Sequence, residues 1–204
     1  IKTVSIDEGV SYAGLTHIHK DRKDNLWIGS DKGIQVWDPQ KNVLIDHYEL
    51  DIEALSGFVN FENFIYSAAK INGLWGIIEF RYVEEKVYFR DFYQRPDLEK
   101  IHKISFFDDK IFVLSSNGLI AGNPFQNHIS TWSNPLEQIN GNVIDFQEDN
   151  GNFYILSSSA IHRFSFDSIL IAIIDNYDFS HIKGFSVSNS NIFANLFFSL
   201  LQLK

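Results

Sequence analysis

The stretch Gly14–Asp38, GLTHIHKDRKDNLWIGSDKGIQVWD, decides the fold. Leu15–Lys20 reads as a strand, Asp21–Asn25 as a polar turn and Leu26–Ser30 as a second strand. A turn at Asp31–Gly33 then leads to a third strand, Ile34–Asp38. Alternating faces between Gly, Asp and Asn turns make this an antiparallel meander.

The same arrangement recurs four times. The strand after the first turn begins at Leu26, Phe64, Ile111, Phe153 and Ile192. A second landmark, Gly33-Ile34, Gly73-Leu74, Gly118-Leu119 and Ala160-Ile161, opens the third strand and moves in step with the first. The turns before the landmark strands are rich in Asn, Asp and Gly, which tolerate the positive φ of tight hairpins. Outer fourth strands are expected at Val43–Tyr48, Lys86–Phe92, Ile129–Trp132 and Ile169–Ile174. A period near 40 residues is that of a four-stranded propeller blade. The fold class is therefore all-β: a propeller of four-stranded antiparallel blades, about five of them, or a fragment of a larger propeller. One domain over 1–204 is expected, with blades at 14–50, 52–94, 100–133, 141–176 and 182–204. Lys2–Ile6, within 1–10, reads as a strand that either pairs into the last blade, closing the ring and covering exposed edges, or is the outer strand of a preceding blade. Helix signals are confined to single turns at Glu53–Leu55 and Pro96–Lys103.

Composition narrows the function. The 204 residues carry a net charge of −9, with 45% hydrophobic and 15% aromatic content, as in a globular protein. With no Cys, disulfides, thiolate metal sites and thiol nucleophiles are ruled out. No basic stripe of the kind nucleic acid requires is visible, so nucleic acid is not an expected partner. Apolar runs such as Ile169–Ile174 and Leu196–Phe198 fall far short of a helical membrane span, so direct membrane insertion is not expected. The chain opens at Ile1 rather than Met, which reads as a processed or excised segment.

Candidate site residues were sought on the first strands and among the aromatics. His17 and His19 alternate on one strand and share a face; His102 and Asp145 hold comparable places in the third and fourth units. A channel lined by His17, His102 and Asp145 follows if the register holds, and a slip of one residue would turn any of them away. Two imidazoles at i, i+2 can share a metal, but polar residues lining a wet channel or packing between blades account for them better, and no metal is assigned. The acidic turns Asp21–Asp24 and Glu148–Asn152 lack the spacing of a calcium loop. Trp27 aligns with Ile65, Phe112, Tyr154 and Phe193 and belongs to the core. Trp75 and Trp132 align with nothing and are expected on a surface, as aromatic faces for a sugar ring or a protein partner. No phosphate-binding glycine loop, Gly-x-Ser-x-Gly elbow or His-Glu-x-x-His motif is present, so no catalytic residue and no cofactor are assigned.

Ile18, Asp21, Asn25, Leu26, Trp27, Ile28, Gly29, Ser30, Gly33, Ile34 and Asp38 make the first unit resemble the two-component regulator propeller repeat. The match is partial at Ile111–Leu119 and Phe153–Ile161, where Trp is replaced, weak at Phe64 and weaker still at Ile192. The resemblance implies a periplasmic, cell-surface or secreted bacterial protein, with a glycan-derived or protein ligand and other domains of the same polypeptide or a second copy as partners. It carries no catalytic residues. A non-enzymatic recognition module is the expected function, with a polysaccharide-acting propeller enzyme or a self-assembly module as alternatives.

Overall fold

A computed structural model describes residues 14–83, 86–107, 109–132, 139, 143–150, 152–165, 170–175, 179, 182, 184–188, 191–195 and 200–203. The expected closing strand at Lys2–Ile6 and the Glu84-Glu85 loop lie outside the described residues.

Among the described residues, five antiparallel sheets follow one another along the chain. The first holds β1 (Leu15–Lys20), β2 (Leu26–Ser30), β3 (Gly33–Asp38) and β4 (Val43–Glu49) in that order. The second holds β5 (Ile52–Phe61), β6 (Phe64–Ile71), β7 (Leu74–Val83) and β8 (Lys86–Gln94). The third holds β9 (Ile101–Phe107), β10 (Lys110–Ser115) and β11 (Gly118–Gly122). The fourth holds β12 (Val143–Asp149), β13 (Asn152–Ser157), β14 (Ile161–Ser165) and β15 (Leu170–Ile174). The fifth holds β16 (Gly184–Ser188), β17 (Asn191–Asn195) and β18 (Leu200–Leu203). Successive first strands are neighbours: β1 lies beside β5, β5 beside β9, β9 beside β12 and β12 beside β16. Sheets sharing an inner edge and facing each other in sequence are propeller-like blades.

The hairpin chemistry read from the sequence is met. Asp24, Glu62, Asp109 and Asn150, each just before a landmark strand, have φ between 49° and 67°. At the next hairpin Gly33 has φ 132°, and a Cβ there would overlap the Tyr48 carbonyl oxygen, so only glycine lets β4 return alongside β3.

Among the described residues, four hydrophobic clusters fill the junctions between consecutive sheets. Trp27, Ile34 and Val36 meet Leu55, Phe58, Ile65 and Phe80 between the first and second sheets. Tyr66, Trp75 and Ile77 meet Ile104, Ile111 and Val113 between the second and third. Phe112 and Leu114 meet Phe146, Phe153 and Ile155, and Tyr154, Leu156 and Ile161 meet Phe185 and Ile192. Stability thus resides between blades, since one sheet cannot cover its own apolar faces.

Several expectations change. Trp27 is core, with no exposed surface, as are Phe112 and Tyr154. Ile65, however, faces backward to the first sheet, and the forward-facing core aromatic of the second sheet is Tyr66. Ile65 and Tyr66 pair in regular register with Asn60 and Val59, and the shift in β5 between Leu55 and Phe58 comes only beyond them. Glu53–Leu55 is part of β5 rather than a helical turn, and Ile101–Lys103 is strand. Ile129–Trp132 is not an outer strand: Ile129–Thr131 form a 3-10 turn. Arg95 explains it. Its buried guanidinium donates to the carbonyls of Ile129 at 2.8 Å and Trp132 at 3.0 Å, consuming acceptors a sheet ladder would need.

Candidate functional site

Of the first strands, β1, β9 and β12 carry the expected polar residues His17, His102 and Asp145. Their register is set by bulges. In β1, a register shift between Leu15 and His17 leaves His17 opposite Gly29. In β9, Ile101 pairs with Ser115 and Lys103 with Leu114, so His102 is the residue passed over. In β12, a shift between Val143 and Asp145 sets Asp145 opposite Leu156. Gly29, Leu114 and Leu156 each precede the serine at the end of the second strand, Ser30, Ser115 and Ser157. The equivalent residues are therefore His17, Lys103 and Asp145. His102 is one place out, and the expectation that it lines one row with His17 and Asp145 is corrected. The slip has a physical cause, a bulge that inserts one residue without changing the apolar pattern beyond it.

Each of the three leans on the next first strand. His17 lies against Gly57 of β5, whose added Cβ would come 3.9 Å from its Cδ2. Lys103 Nζ reaches Asp145 Oδ1 of β12 at 2.9 Å, donates to the Phe146 carbonyl at 2.6 Å and sits 4.9 Å from the Phe146 ring centre. The other Asp145 oxygen faces Gly184 of β16, where a Cβ would approach within 3.5 Å. The structure thus joins Asp145 to Lys103. His102 is exposed, with Nε2 2.7 Å from the Ser116 hydroxyl.

Burial lowers the pKa of the His17 imidazole below its ordinary value, and burial followed by the Lys100 charge does so for His102. Burial also lowers that of His19, with a bond to Asn60 and the Asp21 charge opposing it. Neutral imidazole is the ligating form, and among the described residues the buried nitrogens His17 Nδ1 and His19 Nε2 find no hydrogen-bond partner. Among the described residues no group of three His, Asp or Glu side chains gathers.

The two tryptophans expected on a surface are buried. Trp75 keeps 9% and Trp132 3% of its surface, both in the core between the second and third sheets. Trp132 covers Gly122, where any side chain would collide with the indole, and its Nε1 donates to the Asn127 carbonyl at 3.2 Å. Failure to align with the repeat did not make them surface residues, and that expectation is corrected. The cause is the irregular segment that replaces a strand in the third sheet, a tertiary feature.

Sequence reasoning also missed a polar knot between the first two sheets. The buried Asp21 carboxylate accepts from Lys23 N at 2.8 Å, Asn25 N at 2.9 Å, Asn25 Nδ2 at 3.2 Å, Trp27 Nε1 at 2.8 Å and the Tyr82 hydroxyl. Asp21, Asn25 and Trp27 were all visible in the repeat. Tyr82, 61 residues away from Asp21, had no local signal.

No family model and no curated protein sequence matches the chain. Solved structures of similar shape include PorZ, a bacterial surface component of the type-IX secretion system of Porphyromonas gingivalis, at TM-score 0.69 and 14% identity over 92% of this chain and 31% of that one. The extracellular domain of the hybrid two-component system BT4673 from B. thetaiotaomicron has TM-score 0.68 and 16% identity over 93% of this chain and 28% of that one. A gluconolactonase from Xanthomonas campestris has TM-score 0.55 and 10% identity over 89% of this chain and 69% of that one. At such identities the likeness is one of fold. The chain spans about a third of the length of the first two.

Proposed function

We propose that this chain is a non-catalytic recognition module, the sensor or surface part of a larger bacterial protein outside the cytoplasm. It would hold a glycan-derived or protein ligand on the axial face of its first strands. The observation that carries the reading is the row His17, Lys103 and Asp145, one polar side chain at the same register place on three first strands. Such a row offers an imidazole, an ammonium and a carboxylate to hydroxyl-rich or peptide ligands. The shared fold with the BT4673 extracellular domain supports a sensor over an enzyme. So does the state of Asp145: its carboxylate is tied to Lys103 and to its own strand through Phe146 N at 2.8 Å, a poor arrangement for a proton-transferring acid. Signalling would follow from ligand-shifted packing against a neighbouring domain or second copy.

A thermal-shift screen against short neutral and acidic oligosaccharides and against peptides tests this. The expected result is stabilisation by one class, lost in Asp145→Ala and in Lys103→Met, with the ligand recovered unchanged in mass. A recovered product of altered mass, absent with Asp145→Ala, would replace recognition by catalysis. No stabilisation by any class would refute an axial site.

A further inference from the structure

We infer that the outer junction of the first and second sheets is a binding cleft for a small organic carboxylate. The cleft has a volume of about 350 Å³ and lies away from the axial row, between the edge strand β4 and the end of β7. That size is at the low end of small-ligand sites.

Its chemistry is two-sided. Val43 and Ile45 of β4 form an apolar wall, and Val43 keeps 46% of its surface open in a strand position that would otherwise favour a polar residue. Two lysines, Lys23 and Lys41, line the same cleft. Lys23 lies 4.5 Å from the centre of the Tyr82 ring, and among the described residues no carboxylate pairs with it. Lys41 meets Asp38 at 3.3 Å, but its side chain is 77% exposed, so the pair is weak and the ammonium keeps donors for an anion. Asp38 also lines the cleft: its Oδ1 accepts from the backbone N–H of Gln40 at 2.9 Å and Lys41 at 3.0 Å, and its Oδ2 is the oxygen that meets Lys41 Nζ.

The floor is pre-set. Asp21 fixes Lys23 through its backbone N–H, Asn25 through its amide, and the Tyr82 hydroxyl, so the residues that shape the cleft are held before any ligand arrives. In a chain of net charge −9, two lysines kept beside an open apolar wall favour a ligand with a carboxylate at one end and a hydrocarbon body at the other. This site is independent of the axial reading.

Isothermal titration of the chain with benzoate, with benzamide as the uncharged counterpart, tests the assignment. Benzoate is expected to bind and benzamide to bind at least about tenfold more weakly. Lys23→Gln and Lys41→Gln should each weaken benzoate about tenfold, and Val43→Asp should abolish binding. Lys100→Gln, on the loop before β9, should change nothing. Equal affinity for the two probes, no binding of benzoate, or full binding by the Lys23→Gln, Lys41→Gln double variant would overturn the inference. Lys103→Met should leave benzoate binding intact, which separates this site's failure from failure of the axial one.

Discussion

Replacing Asp21 by Asn keeps the size of the side chain and removes one acceptor and the charge. In the native knot five donors converge on the two carboxylate oxygens. With Asn, one oxygen can still serve Lys23 N and Asn25 N. The new NH₂ group then faces the Trp27 indole N–H and the Asn25 amide, both donors. Tyr82 can turn its hydroxyl and accept, and Trp27 Nε1 keeps its 3.3 Å approach to the Tyr82 oxygen. Two charge-assisted bonds are lost, at about 1.5 kcal/mol each, so Asp21→Asn should cost about 3 kcal/mol at pH 7. In urea this moves the unfolding midpoint by about 1 M.

The pH dependence has a definite sign. Burial alone would raise the Asp21 pKa, but the bonds from Tyr82, Trp27, Asn25 and Lys23 outweigh it and hold the carboxyl below its ordinary value. A depressed native pKa stabilises the fold above the unfolded value, about 3.9, and that stabilisation drains away as pH falls through the native value. The gap between wild type and Asp21→Asn should therefore stay constant from pH 7 to about pH 5 and narrow below about pH 4. Urea unfolding followed by tryptophan fluorescence measures both. A variant within about 0.5 kcal/mol of wild type at pH 7, or a gap that persists undiminished to pH 3, would show that the carboxylate does not carry the junction.

Arg95→Ala strips two buried carbonyls of their donor and should cost about 3 kcal/mol by urea unfolding; Arg95→Lys should recover less than half, because a point donor cannot replace the fork. Asp97 accepts from both arms of the fork, at 2.8 and 2.6 Å, so Asp97→Ala leaves the buried guanidinium without its counter-charge and should cost about 1–3 kcal/mol. Gly122→Ala drives a methyl group into the Trp132 indole and should cost about 1–3 kcal/mol. In a double-mutant cycle with Trp132→Val the penalty should shrink, and strict additivity would deny the contact. Gly33→Ala should lose at least about 2 kcal/mol by thermal unfolding, from backbone strain and the approach of Tyr48.

Much of the blade pattern could be read from residues alone. β1 and β2 begin and end where the hydrophobic alternation and polar turns place them, at Leu15–Lys20 and Leu26–Ser30. The outer strands β4, β8 and β15 also fall where expected, to within two residues. These are local properties: period-two alternation and turn residues act within a few positions. The candidate site was half legible. His17 and Asp145 share a register place, but Lys103 was passed over for His102 because a bulge leaves no mark in the apolar pattern.

The primary sequence determined that this protein is all-β, built of repeated meanders with Trp27 as core, because alternation and tight-turn chemistry depend on near neighbours. The tertiary structure alone decided the rest. It buried Trp75 and Trp132, turned Ile129–Thr131 from a strand into a 3-10 turn under Arg95, and brought Tyr82 to Asp21 and Lys103 to Asp145. Each of these depends on residues from different sheets or loops meeting across an interface, and the free energy of such contacts has no counterpart in local spacing.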